Sequence, residues 1–198
     1  MGSSLAHVMV VGGTRREWET FAAADWARLA EELGTVVADA GGAWLTMRSY
    51  DARPDGRHDA PRRHHAVAGG RCTVIVDPLG DGRERFAEAM RRLPATAPVD
   101  EKTVAGVLYE PADVEPDLVV VLGPPTRLPP SLVWELAYGE LVFDPTPLAA
   151  LRAGHLRTAI DDYHGRRRRF GGLEDGSVLS DRPDRAGPKG QVGIGANE

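Results

Sequence analysis

The sequence predicts an α/β protein in which a mostly parallel central sheet is flanked by helices. Strand and helix patterns alternate along the chain, and consecutive parallel strands need a crossover, usually a helix, between them. Residues 117–122 predict a strand, because Asp117 is followed by an unbroken apolar run, which is typical of a strand buried on both faces of a sheet. The length of 198 residues suffices for one domain with a substantial core. We therefore expect ligands to bind at the carboxyl edge of the sheet.

The elements of the first half are separated by glycines and polar residues. Residues 6–11 are short and rich in β-branched side chains, and they predict a strand that ends at Gly12-Gly13. Residues 16–40 carry apolar side chains at helical spacing and predict one long helix, which Gly41-Gly42 ends. Residues 43–47 predict the second strand. Residues 51–70 are rich in Arg, His, Asp, Pro and Gly, and they predict an exposed loop.

The second half continues the alternation. Its apolar runs predict strands over 72–76, 117–122 and 141–143. Segments with apolar side chains at helical spacing predict helices over 83–93, 103–108, 131–138 and 151–169. Gly, Asp, Ser and Pro dominate the remainder, so we predict a domain over 1–172 and a flexible tail over 173–198.

Composition excludes some classes of function. The net charge of −5 disfavours a nucleic-acid partner, because phosphate-binding surfaces need a net basic face. Cys72 is the only cysteine, which excludes an intrachain disulfide and favours a reducing compartment. No apolar run approaches the ~20 residues of a spanning helix, and we find no signal peptide. We expect a cytoplasmic protein with at most peripheral membrane contact.

The junction between the first strand and the first helix has the features of a phosphate-binding loop. Gly12, Gly13 and Thr14 form a turn whose backbone can approach an anion, and a helix start offers unpaired N–H groups. Arg15 and Arg16 add positive charge. The loop is neither a Walker A motif nor G-x-G-x-x-G, and a Gly-Gly turn also occurs for ordinary reasons of turn geometry. On the residues alone, both interpretations stay open.

Three segments, in the same order along the chain, resemble motifs of the cis-prenyltransferase family, which includes undecaprenyl and dehydrodolichyl diphosphate synthases. Residues 116–143 read P-D-L-V-V-V-L-G-P-P-T-R-L-P-P-S-L-V-W-E-L-A-Y-G-E-L-V-F and are similar to P-D-L-x-I-R-T-[SG]-G-E-x-R-[LI]-S-N-F-L-[LP]-W-Q-x-[AS]-Y-[AS]-E-[LF]-x-F. Residues 163–172 resemble Y-x-x-R-x-R-R-F-G-G, and the first junction resembles H-[VI]-A-x-I-M-D-G-N-R-R-W-A. The resemblance covers residues 6–18 and 116–172 and implies a cis-prenyltransferase-like fold, shortened in the middle.

The resemblance implies roles for several residues. Members of this family condense isopentenyl diphosphate onto an allylic diphosphate with Mg²⁺. Arg16 matches an arginine that contacts a diphosphate, and Gly12 to Arg15 complete that diphosphate-binding loop. Arg127 matches one of two arginines that hold isopentenyl diphosphate. Glu140 matches a glutamate that helps to hold Mg²⁺. Arg169, Phe170 and Gly171 match the R-x-G element that reaches across the family dimer into the partner's active site.

Other family residues are replaced. The metal-binding aspartate falls at Gly13, and the glycine and asparagine after it fall at Thr14 and Arg15. The second isopentenyl-diphosphate arginine falls at Val121 and a contacting serine at Pro129. The G-H-x-x-G segment of the first helix is missing, and the region that walls the product tunnel in long-chain enzymes is much shorter.

This mixture of retained and replaced residues suggests a subunit that does not catalyse alone. Losing a metal ligand typically costs orders of magnitude in rate. We therefore expect a non-catalytic accessory subunit of isoprenoid metabolism that forms a homodimer or heterodimer with a catalytic cis-prenyltransferase. Two alternatives stay open: a divergent short-chain prenyl diphosphate synthase, and a pseudoenzyme that only binds isoprenyl diphosphates.

Overall fold

A computed structural model describes residues 5–50, 62–137 and 139–170, and of residues 167–170 it describes only the helical backbone. The predicted tail, 173–198, lies outside the described residues. The described strands form one sheet in the order β3-β4-β2-β1-β5-β6. Their bounds are β1 His7–Val11, β2 Trp44–Arg48, β3 Arg63–Val67, β4 Cys72–Asp77, β5 Leu118–Leu122 and β6 Glu140–Asp144. All neighbouring strands are parallel except β3 and β4, which confirms the predicted fold class.

Helices cover both faces of the sheet. Their bounds are α1 Arg15–Thr20, α2 Ala23–Asp39, α3 Gly82–Arg92, α4 Glu101–Tyr109 and α5 Ala153–Phe170. Side chains of a strand alternate between faces. Val8 and Val10 of β1 therefore lie in the core formed with α2 and α5, whereas Met9 and Val11 lie in the core formed with α3 and α4. Among the described residues, no helix is long and apolar enough to cross a membrane.

Helix α2 lies directly against the sheet at Gly34. A Cβ atom at Gly34 would lie 2.3 Å from Cγ2 of Val67 and 2.7 Å from Cγ2 of Val74. Leu45 and Met47 on the same face of the sheet are at most 1% exposed. Side chains therefore fill the space between α2 and the β3–β4–β2 half of the sheet.

The predicted helix over 16–40 is wrong in one respect, because the structure divides it into α1 and α2. Phe21 and Ala22 have extended backbone conformations. The break places Trp18 and Phe21 against Trp26, with ring centroids 4.5 Å and 4.8 Å from the Trp26 ring. Aromatic packing of this kind outweighs the local helical pattern.

The predicted exposed loop over 51–70 is wrong for residues 63–67, which form β3. This edge strand pairs with β4 through its backbone, while Arg63 and His64 stay exposed and only Val67 is buried. The apolar pattern that signals a strand is therefore missing. Residues 51–61 lie outside the described residues.

The predicted helix over 131–138 is also wrong, because the described part contains only a 3₁₀ turn, Glu135–Ala137. The Glu135 side chain is completely buried in ion pairs with arginines. These long-range contacts hold the segment in an irregular path across the sheet. Local helical spacing could not reveal them.

Candidate functional site

The carboxyl edge of the sheet brings the ends of β1, β2 and β5 together. The Gly12 N–H donates to the Arg48 carbonyl at 3.0 Å, and the Tyr50 N–H donates to the Gly13 carbonyl at 3.2 Å. Between the ends of β5 and β6, the Gly123 N–H donates to the Asp144 carbonyl at 2.7 Å. These bonds extend the sheet beyond its strands and fix the loops that follow them.

The first junction forms a closed turn. The N–H and the hydroxyl of Thr14 both donate to Oε2 of Glu17, at 2.8 Å and 3.0 Å, and the Glu17 N–H donates to the Thr14 hydroxyl. This is a capping box at the start of α1. The Trp18 Nε1–H donates to the Gly12 carbonyl at 2.8 Å. An anion at this turn would therefore compete with the Glu17 carboxylate for the Thr14 donors.

Gly13 leaves no room for a side chain. Its φ angle is +77°, in the left-handed region that disfavours residues with a Cβ atom. A Cβ atom there would lie 2.5 Å from Cδ2 of Leu148 and 2.9 Å from Nε1 of Trp18. The position that matches the family aspartate is thus occupied by two neighbouring side chains.

The structure brings the remaining diphosphate-binding candidates to the same edge. Arg15 and Arg16 are exposed at the start of α1, with Arg15 Nε 2.6 Å from Oε1 of Glu19. Arg127 is exposed in the loop after β5. Tyr50 links the two loops. Its hydroxyl donates to the Arg127 carbonyl at 2.9 Å, and its N–H donates to the Gly13 carbonyl.

Glu140 lies elsewhere. It is the first residue of β6 and pairs with Leu118, the first residue of β5. The carboxyl end of β6 is Asp144, four residues away, which corresponds to about 13 Å along a strand. The structure does not bring Glu140 and Gly13 together within this chain. Its metal role stays a prediction.

The described residues do not fit the Mg²⁺ site that the resemblance implies. No group of three or more His, Cys, Asp or Glu side chains able to hold a metal occurs in the described part of the chain. Gly13 has no carboxylate, and the nearby Glu17 carboxylate is occupied by Thr14. Mg²⁺ requires several oxygen ligands, and the described residues of the first junction provide no such group.

A buried ionic network under the carboxyl edge was not predicted. Arg48 contacts Asp77 at 3.3 Å and Glu135 at 3.0 Å, and Arg85 contacts the same Glu135 oxygen at 3.1 Å. Arg62 reaches Asp77 from the surface at 2.9 Å. The network joins β2, β4, the start of α3 and the segment before β6.

Neighbouring arginines keep the two carboxylates of this network ionised. Burial favours the neutral form of Glu135, but Arg85 and Arg48 outweigh it and lower the pKa of Glu135. Burial opposes ionisation of Asp77 as well, and Arg48 and Arg62 again lower its pKa. Burial and the neighbouring Arg48 lower the pKa of Arg85. Removing one partner would leave an uncompensated buried charge.

The R-x-G element falls largely outside the described residues. Helix α5 continues to Phe170, so Arg169 and Phe170 belong to its last turn, but their side chains are not described. Gly171 lies beyond the described residues. The role of these three residues in a partner's active site stays a prediction.

The fold and its edge loops define a class: an α/β protein with a glycine turn and exposed arginines where the strands end. Comparison with known families is consistent with this class. Residues 70–171 match the model of the undecaprenyl diphosphate synthase family. The match begins well before residue 116 and so extends the resemblance to α3 and α4.

Curated relatives include members of the same family. The (2E,6E)-farnesyl-diphosphate-specific ditrans,polycis-undecaprenyl-diphosphate synthase of Xanthomonas campestris is 31% identical over 176 residues, covering 76% of this chain and 68% of that protein. Isoprenyl transferase 2 of Bradyrhizobium diazoefficiens is 40% identical over 113 residues, covering 52% and 44%. The bifunctional protein CrtB/UppS of Streptomyces coelicolor is 42% identical over 99 residues, covering 46% and 17%. The chain spans about half the length or less of several such relatives.

A solved structure has the same fold. The crystal structure of a probable undecaprenyl diphosphate synthase from Campylobacter jejuni matches with a TM-score of 0.55 at 15% identity, covering 86% of this chain and 100% of that chain. This chain belongs to the undecaprenyl diphosphate synthase family of cis-prenyltransferases, as the three motifs predict.

Proposed function

We propose that this chain is a non-catalytic accessory subunit that binds a catalytic cis-prenyltransferase and lends it the R-x-G element, Arg169 to Gly171. The observation that carries the proposal is Gly13. The position of the family's metal-binding aspartate carries no carboxylate here, and the left-handed backbone and the closeness of Leu148 and Trp18 disfavour one. Without that ligand, the departing diphosphate lacks the charge neutralisation that metal-assisted transfer requires.

The packing of α2 supports the same proposal. Long-chain members of the family need a tunnel for the growing product. Here Gly34 brings α2 into direct contact with Val67 and Val74, and Met47 fills the same face of the sheet. A long isoprenoid chain therefore finds no space between α2 and the sheet.

An exposed apolar patch supports binding to a catalytic relative. Val133 and Leu136 are 57% and 48% exposed, and Phe86 and Val99 beside them are 39% and 70% exposed. The lining of a groove of about 490 Å³ includes Phe86, Val99, Val133 and Trp134, and Leu136 follows in the same segment of the chain. We call these residues the Val133 patch. Apolar clusters of this kind mark interaction sites, and Val133 and Leu136 lie in the segment that leads into β6.

The function is tested by prenyl transfer with and without a partner. The purified chain is incubated with labelled isopentenyl diphosphate, farnesyl diphosphate and Mg²⁺, alone and mixed with a catalytic homologue from the same organism. We expect no product from the chain alone and a large gain in the mixture. Short-chain product from the chain alone would overturn the accessory role and favour the short-chain synthase.

The interaction surface is tested separately by affinity capture of the catalytic homologue. We expect Val133→Asp with Leu136→Asp to abolish both the complex and the gain in activity. Thr158→Asp, which adds a charge at an exposed position of α5 on the opposite face of the sheet, is the matched control and should leave both unchanged. A complex that survives the double change would exclude the Val133 patch as the interface.

A further inference from the structure

Tyr50 touches both loops that carry the diphosphate-binding candidates. It lies two residues after the end of β2, and its N–H donates to the Gly13 carbonyl at 3.2 Å. Its hydroxyl donates to the Arg127 carbonyl at 2.9 Å. Its ring packs against the core between the sheet and helices α3 and α4. Tyr50 thus connects the two loops: its backbone bonds to the first junction, and its side chain bonds to the loop after β5.

The loop after β5 depends on such an external contact. Residues 123–130 include four prolines, which have no N–H to donate. The described backbone bonds of this loop lie at its ends, where Gly123 donates to Asp144, and where the Gly82 N–H donates to Pro130 and the Leu132 N–H to Pro129. Between those ends, the bond from Tyr50 holds the backbone at Arg127.

We propose that Tyr50 is a positioning residue of the diphosphate site, which sets the spacing between the Gly12–Arg16 loop and Arg127. A diphosphate has two charged groups, and two loops held at a fixed spacing bind it with a smaller loss of conformational freedom. Tyr50 acts through the Arg127 backbone and need not touch the ligand. The inference goes beyond the proposed function, because it gives this subunit a diphosphate-binding site of its own, and the ligand is the diphosphate group of an isoprenyl diphosphate.

The test measures binding of inorganic pyrophosphate to the full chain by calorimetry. Losing one neutral hydrogen bond corresponds to a change of about 3- to 10-fold in an equilibrium. We expect Tyr50→Phe to weaken pyrophosphate binding by about that factor, to lower the melting temperature by no more than a few degrees, and to increase hydrogen exchange in residues 123–130. Tyr163→Phe removes a hydroxyl from α5, on the other face of the sheet, and should leave pyrophosphate binding and hydrogen exchange in residues 123–130 unchanged.

A double-substitution cycle separates positioning from a general structural role. If Tyr50 acts through Arg127, Tyr50→Phe should have no further effect on pyrophosphate affinity in an Arg127→Ala background. Equal losses in both backgrounds would overturn the inference, and so would unchanged binding by Tyr50→Phe. In both cases the wild-type chain still binds pyrophosphate, so the diphosphate site stands without Tyr50, and the accessory role is tested separately by the prenyl-transfer assay. A wild-type chain that does not bind pyrophosphate would overturn the diphosphate site and this inference together.

Discussion

Gly13 has a φ angle of +77° and lies against Leu148 and Trp18. Gly13→Asp should therefore strain the backbone and displace packed side chains, and we expect a loss of about 2–4 kcal/mol in the free energy of unfolding. Urea denaturation measures it. Gly41→Ala is the control, since Gly41 has a φ of +91° but nothing within 4 Å of a built Cβ, and it should cost only about 1 kcal/mol. A Gly13→Asp variant that is as stable as wild type and gains Mg²⁺-dependent activity would contradict the proposed role of this position.

His7 should make stability depend on pH. Its ring nitrogens lie 2.9 Å from the Val114 carbonyl and 2.9 Å from the Thr46 hydroxyl, and burial lowers its pKa from 6.5 to about 4. The unfolded state binds more protons between these values, so the free energy of unfolding falls as the pH drops from 6.5 towards 4. We expect a loss of about 2 kcal/mol between pH 7 and pH 5.

Urea denaturation at the two pH values checks this for the wild type and for His7→Asn. The pH-dependent loss should disappear in His7→Asn and persist in His64→Asn, which changes an exposed histidine on β3. The same loss in all three proteins would show that another group titrates.

At the scale of elements, α2 and the sheet meet at a glycine. Gly34→Ala improves helix propensity by about 1 kcal/mol, but its Cβ would lie 2.3 Å from Val67. We expect the steric conflict to prevail and the net loss to be about 1–3 kcal/mol. Gly106→Ala in α4 is the matched control, because nothing lies within 4 Å of its built Cβ, and it should stabilise the protein. Adding Val67→Ala should recover part of the loss, and a failure to do so would place the conflict elsewhere.

The buried ionic network connects elements that are far apart in sequence. Glu135→Gln leaves Arg48 and Arg85 without their shared charged partner, and we expect a loss of about 3–5 kcal/mol. Glu110→Gln, which breaks an exposed pair with Arg92, should cost less than about 1 kcal/mol.

The same network predicts a second dependence on pH. The lowered pKa of Glu135 means that its contribution is complete above the ordinary value of 4.5 and is lost as the pH falls further. Below pH 4.5, the melting temperature should therefore fall less steeply with decreasing pH for Glu135→Gln than for the wild type. Parallel profiles would assign the acid sensitivity to other carboxylates.

At the scale of the whole molecule, the core residues in the described part of the chain lie between Leu5 and Tyr163. We therefore expect a chain that ends at Gly172 to unfold in one cooperative transition, with a free energy within about 0.5 kcal/mol of the full chain. Urea denaturation followed by circular dichroism checks this. A chain that ends at Arg152 loses Leu156, Ile160 and Tyr163 from the core and should not fold. A large loss of stability in the chain that ends at Gly172 would extend the domain beyond residue 172.

Sequence patterns predicted the elements whose signals are local. Apolar runs placed the buried strands β1, β4 and β5 to within a residue or two, and the alternation of elements predicted the parallel sheet. The three motifs identified the family before any contact was known. Such features depend on neighbouring residues or on order along the chain, and both are visible without a structure.

The tertiary structure decided what depends on distant partners. Arg48 and Glu135 are 87 residues apart, and Tyr50 and Arg127 are 77 apart, so their contacts arise only when the strands take their register. The same register places Glu140 at the amino end of β6, away from the first junction. Whether Gly13 can be replaced depends on Leu148, which is far along the chain. Spacing along a sequence reports local periodicity, whereas these contacts depend on how separate elements pack, and only the folded chain defines that.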